Sequence, residues 1–129
     1  VYGIDRLDGD GVIGFDLDDV TQAALPECPD VELVICGEVL EHLSNPGWFL
    51  TRLRRQYPVE TIITVPNAFC AVGFREIQRG YEHVNRDHVA WYSYTTMVEL
   101  LRRVGYSIDR WGWYRGDPLT AEGLVFVVH

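Results

Sequence analysis

The chain has 129 residues, 47% of them hydrophobic and 23% charged, with a formal net charge of −8. That length suits one domain, spanning 1–129, with a hydrophobic core of its own. An acidic surface repels phosphate backbones, which disfavours nucleic-acid partners, and no apolar run approaches the roughly 18 residues of a membrane-spanning helix.

Cys28, Cys36 and Cys70 are odd in number and form no CxxC pair, which fits a reduced, cytoplasmic setting. Val1–Asp5 reads as a short strand ending in a carboxylate, and Val12–Phe15 as a second strand followed by the acidic turn Asp16-Leu17-Asp18-Asp19. Val31–Cys36 is a nearly continuous apolar block, the pattern of a parallel strand buried on both faces. Gly37 breaks it, and Glu38, Glu41 and His42 follow at once. In open α/β sheets, ligands bind outside the carboxyl ends of strands, so this stretch is the expected business end.

Asn45-Pro46 is a helix start, with Asn45 as N-cap and Pro46 at the first helical position. Phe49, Leu50, Leu53 and Tyr57 recur at helical spacing, with Arg52, Arg54 and Arg55 expected to face outward. Glu60–Val65 is a β-branched, buried strand. Ala68–Tyr92 is long, polar and aromatic, with a short helix near Phe74–Gln78, and reads as a functional loop or lid. A helix from about Tyr94 to Val104 carries Met97, Leu100, Leu101 and Val104 on one face, capped by Ser93 or by Thr96-x-x-Glu99, and Gly105 ends it. Tyr106–Tyr114 and Leu124–His129 close the chain as an antiparallel pair. The order predicts an α/β fold with a mainly parallel sheet and an antiparallel C-terminal edge pair.

The run Val39-Leu40-Glu41-His42-Leu43-Ser44-Asn45-Pro46, between an apolar strand and an amphipathic helix, resembles the LEHLxNP-type motif of class I S-adenosylmethionine-dependent methyltransferases of the small-molecule branch. Val1–Asp5 is similar to that family's second strand, Gly14–Leu17 to its third, and Ile63–Asn67 to its fifth. Glu82-His83, His88, Tyr92-Ser93, Leu100-Leu101 and Gly105-Tyr106 follow in the family's order, so the resemblance covers nearly the whole chain. It departs at the start. The family's first strand and its GxGxG loop would lie before Val1, so the expectation is an N-terminally incomplete, Rossmann-like domain. Its flanking strands would expose apolar edges, through which a homo-oligomer could form.

The resemblance implies S-adenosylmethionine as cofactor and a small-molecule or sugar-like acceptor, methylated at oxygen. Asp5 would accept from ribose hydroxyls, Asp16 and Leu17 would flank adenine, and Gly37 and Glu38 would line the methionine part. His42, His83 and His88 are candidate bases for the acceptor hydroxyl. Glu82, His83, Asp87 and His88 match no known ligand spacing, so no metal is expected. Rival readings are a degenerate methyltransferase-like binding module, favoured by the absent glycine loop, and a dehydrogenase fragment, disfavoured because GxGxxG is missing.

Overall fold

A computed structural model describes residues 1–82, 84–117 and 120–129. The strands are β1 (Gly3–Asp5), β2 (Val12–Gly14), β3 (Leu33–Gly37), β4 (Glu60–Pro66), β5 (Ile108–Tyr114) and β6 (Gly123–Val128). The helices are α1 (Pro46–Gln56), α2 (Ala71–Gln78) and α3 (Tyr94–Arg103), with a 3-10 turn at Leu40–His42.

β4 shows how the sheet meets the core. Thr61, Ile63 and Val65 are all fully buried and alternate with more exposed neighbours, the period-two pattern of a strand with one face inward. Phe126 and Val128 of β6 join them from the next strand. Phe49, Leu50 and Leu53 of α1 and Met97 and Leu101 of α3 belong to the same buried cluster. Asn45 caps α1 through its side chain, which accepts from the Trp48 N–H at 3.1 Å, and Pro46 occupies the first turn. Ser93 caps α3: its Oγ accepts from the Thr96 N–H at 3.3 Å, and Thr96 Oγ1 accepts from the Ser93 N–H at 2.9 Å. Glu99 instead holds Arg102 and Arg103. Gly105 ends the helix at φ +87°, where a side chain would be strained.

The larger sheet has the order β3-β4-β6-β5, and β1 and β2 form a separate parallel pair. The expected mainly parallel sheet needs correction. In the larger sheet only β3/β4 is parallel, because β6 enters between β4 and β5 and runs against both. β5 therefore runs with β3 and β4, and the carboxyl ends of those three strands share one edge.

Two burial expectations also fail. The strand expected at Val31–Cys36 starts at Leu33, and it is not buried on both faces: Leu33 is 44% and Ile35 70% exposed. Among the described residues β3 pairs on one side alone, so its other edge faces a groove of about 430 Å³. Val1, Tyr2 and Ile4 line that groove opposite Leu33, Val34 and Ile35.

Arg52 does not face outward. It is 6% exposed, with its guanidinium 3.3 Å from the Trp48 ring centre. Its Nη atoms donate to the carbonyls of Gln22 and Leu17, each at 2.8 Å. A helix-period count places a side chain on a face but does not show that a neighbouring loop folds over it. Arg52→Met would leave those two carbonyls without their donor, and we expect it to cost about 2–4 kcal/mol. A lowered urea midpoint at unchanged m-value measures this; Arg52→Lys should recover only part of the loss, because an ammonium cannot reproduce the planar fork.

Candidate functional site

Gly37 ends β3 where a Cβ would meet Thr64 Oγ1 at 3.3 Å. Glu38 follows with φ +53°, in the left-handed region that a non-glycine residue seldom adopts, and its N–H donates to the Thr64 carbonyl at 3.1 Å. The chain then turns through Leu40–His42. Leu40 and Leu43 are anchored in the core, and this draws Glu41 inward with them to 1% exposure.

The segment between α2 and α3 folds back over this turn. The N–H groups of Val89 and Ala90 donate to the Glu41 carbonyl at 2.8 and 3.2 Å, and Tyr92 Oη donates to the Leu40 carbonyl at 3.2 Å. The Ala68 N–H donates to the Tyr92 carbonyl at 2.7 Å, which ties the same segment to the end of β4. The fold thus brings His88 beside His42, 46 residues apart in sequence.

Glu41, His42 and His88 form one cluster, with a donor atom from each lying within 4.8 Å of the others. His42 Nε2 is 3.9 Å and His88 Nε2 4.0 Å from Glu41 Oε1, and the two rings meet edge to face at 4.7 Å. His42 Nδ1 lies 3.1 Å from the Asp87 carbonyl. A carbonyl only accepts, so Nδ1 carries a proton, and in the neutral ring this leaves the Nε2 lone pair facing the cluster. Among the described residues neither Glu41 carboxylate oxygen has a hydrogen-bond donor. Burial pushes the Glu41 carboxyl above its ordinary range, and the charge of Glu38 pushes the same way. Burial, and then His42, push His88 below the usual imidazole value. Burial and the same carboxylate push the Tyr92 phenol and the Cys36 thiol each up to about 12.

Beside the cluster lies a cavity of about 360 Å³. His88 is in its wall with Asn67, Asn85 and Trp91, and Cys70 and Gly73 line it at the start of α2.

The five residues expected to hold a cofactor sit at strand ends. Asp5 closes β1 and is in register with Gly14 of β2, so Asp16 and Leu17 follow at the same end. Asp5 Oδ1 accepts from the Arg6 N–H at 2.6 Å, and Asp16 Oδ1 from the Asp18 N–H at 3.0 Å. Leu17 lines the groove beside β3; Asp5, Asp16, Gly37 and Glu38 do not. His83 lies outside the described residues.

Sequence reading missed several residues that build the site. Glu41 has no role assigned from the sequence beyond its place at the strand end, although it lies between the core residues Leu40 and Leu43. Asp18 Oδ1 accepts from the Ser44 and Asn45 N–H groups at 2.9 and 3.4 Å, joining the loop after β2 to the turn after His42. Tyr114 donates through its hydroxyl to Glu38 across 76 positions of sequence. No local pattern marks such pairings.

No family model and no curated protein matches the chain. Solved structures do. A SAM-dependent methyltransferase from Archaeoglobus fulgidus superposes with a TM-score of 0.69 at 11% identity, over 98% of this chain and 74% of its own. The small RNA methyltransferase HEN1 matches at a TM-score of 0.60 and 18% identity, over 78% of this chain and 14% of its own. The methyltransferase domain of the bacterial protein CtHen1 matches at 0.58 and 18%, over 91% and 60%. This chain therefore spans well under two thirds of HEN1 and about three fifths of the CtHen1 domain. With strand ends, acidic turns and the Glu41 turn arranged as described, the chain has the fold of the SAM-dependent methyltransferases.

Proposed function

We propose that this chain carries the acceptor side and part of the cofactor side of an S-adenosylmethionine-dependent O-methyltransferase acting on a sugar hydroxyl, with a divalent metal ion held by Glu41, His42 and His88. The observation that carries the reading is the buried Glu41 carboxylate, without donors among the described residues and faced by two imidazole Nε2 atoms at 3.9 and 4.0 Å. These separations are too long for hydrogen bonds. Donors on one ion about 2.1 Å away stand roughly 3–3.5 Å apart, so the two imidazoles would each have to draw about half to one ångström closer to Glu41. One carboxylate and two imidazoles suit manganese, iron, cobalt or zinc better than an all-oxygen ion such as calcium. When bound, such an ion polarises a hydroxyl and lowers its pKa.

The residues of the chain do the rest. Asp87 fixes the His42 tautomer through its backbone carbonyl, the usual second partner of a ligating imidazole. Burial keeps His88 neutral and able to donate its lone pair. The adjoining cavity gives an acceptor a place against His88, with Asn67 and Asn85 as polar walls and Trp91 as a flat apolar one. On the cofactor side, Asp5 and Asp16 each have a second carboxylate oxygen that makes no hydrogen bond among the described residues, which suits ribose hydroxyls and an exocyclic amine. Leu17 adds an apolar surface for adenine, and Gly37 and Glu38 give backbone for the methionine part. The expected first strand would pair along the edge of β3 left unpaired among the described residues, against the apolar groove that Val1, Tyr2 and Ile4 line opposite Leu33 and Ile35.

Two acceptors fit a sugar hydroxyl. The net charge of −8 favours a small sugar-like molecule. The likeness to HEN1, a small RNA methyltransferase, favours a ribose hydroxyl of a small RNA. A second mechanism dispenses with the metal: His88, held neutral, takes the acceptor proton as a general base, with His42 and His83 as the other candidates.

Three outcomes are expected of the full-length protein. Calorimetry should show S-adenosylmethionine binding, and Asp5→Ala should weaken it about 10-fold or more, the loss of a charged hydrogen-bond acceptor. No binding at millimolar ligand leaves a binding module without chemistry, and an unchanged Asp5→Ala affinity removes the ribose assignment. Methyl transfer to a small RNA or a free sugar should stop with chelator and return with Mn²⁺ or Co²⁺; transfer that survives chelation selects the His88 base. Glu41→Gln should lower Co²⁺ affinity at least about 100-fold, read from the visible absorption of the ion.

A further inference from the structure

Glu38 is placed with more care than a strand-end residue needs. It sits in the left-handed region at φ +53°, its N–H is fixed to Thr64, and its side-chain oxygen accepts from the Tyr114 hydroxyl. Tyr114 is the last residue of β5, on the far side of a sheet ordered β3-β4-β6-β5, so its ring must reach across the intervening strand ends. Gly123 makes that possible. It is the register partner of Tyr114, and a Cβ there would collide with the tyrosine ring. Gly123 opens β6, and the absence of a side chain there is what seats the Tyr114 ring.

Tyr114 occupies one Glu38 oxygen and leaves the other without a hydrogen bond among the described residues. Glu38 stands at the entry to the Leu40–His42 turn, three residues before Glu41.

We infer that Tyr114 is a positioning residue: seated over Gly123, its hydroxyl holds the Glu38 carboxylate so that the second oxygen is presented to the Glu41–His42–His88 cluster. The inference rests on the metal-assisted reading above. It assigns β5, which among the described residues contributes no other side chain to the cluster, a part in setting how tightly the cluster holds its ion.

Co²⁺ titration of the full-length protein, followed by visible absorption, tests this with Tyr114→Phe, Glu38→Gln and the double variant. Tyr114→Phe should weaken Co²⁺ about 10-fold and change the band intensity, with thermal midpoint and S-adenosylmethionine affinity unchanged. The double variant should lose no more than Glu38→Gln alone, because both changes remove one interaction. Tyr114→Phe with wild-type Co²⁺ affinity and spectrum, or losses that add in the double variant, overturns the positioning role. A wild-type protein that binds no Co²⁺ overturns the metal reading itself, and the positioning role with it. Gly123→Ala serves as a second variant: it should unseat Tyr114 and reproduce the Tyr114→Phe spectrum, and a normal spectrum there counts against the proposal.

Discussion

A carboxylate that is 1% exposed and has no donor among the described residues is the constraint on which the site turns. Taking such a charge out of water costs several kcal/mol even after relaxation, unless something pairs with it. The raised Glu41 pKa is the same cost seen as protonation. Two nearby imidazoles do not remove it, since both stand beyond hydrogen-bond distance and one is held neutral by its own burial. A bound cation would remove it. The turn could have spared the cost by exposing Glu41, but Leu40 and Leu43 on either side are core residues and fix its direction.

The same turn joins the two halves of the site. Its later end is held by Asp18, from the loop that follows β2, through the Ser44 and Asn45 N–H groups. That loop is held in turn by Arg52 of α1, which grips the carbonyls of Leu17 and Gln22. The proposed adenine-side residues and the histidine cluster are therefore connected through one helix and two short loops. Disturbing Arg52 reaches both, although it touches neither cofactor nor acceptor in the proposed arrangement.

Much of this was legible in the sequence where the signal is local. Asn45-Pro46 starts α1, Ser93 caps α3 and Gly105 ends it, because caps act within one turn and leave a short-range pattern. The apolar runs located β3 and β4. The exposure of Leu33 and Ile35 was not legible from the run itself, because an apolar block records what a strand can bury and not what lies beside it. The position of β6 between β4 and β5 is likewise a matter of long-range pairing. For the site, the sequence marked His42 and His88 separately as bases. It did not show that the long segment after α2 doubles back to put them around Glu41, since that rests on hydrogen bonds from Val89 and Ala90 to a carbonyl far away in sequence.

Methyl transfer needs little covalent help from a protein; alignment of acceptor, methyl group and leaving sulfur with water excluded accounts for much of the rate. Under the proposed function, rigidity is needed between the residues assigned to the cofactor and those assigned to the acceptor. Here the stretch from Gly37 to Asn45 has that character. It is pinned at Glu38 by Thr64 and Tyr114, at Leu40 by Tyr92, at Glu41 by Val89 and Ala90, and at Ser44 by Asp18. The pins come from six separate positions along the chain, on both sides of the turn, so few displacements leave all of them intact. Such over-determination also explains how a left-handed φ at Glu38 is tolerated: backbone strain persists where the surroundings fix a residue more firmly than its own preference would.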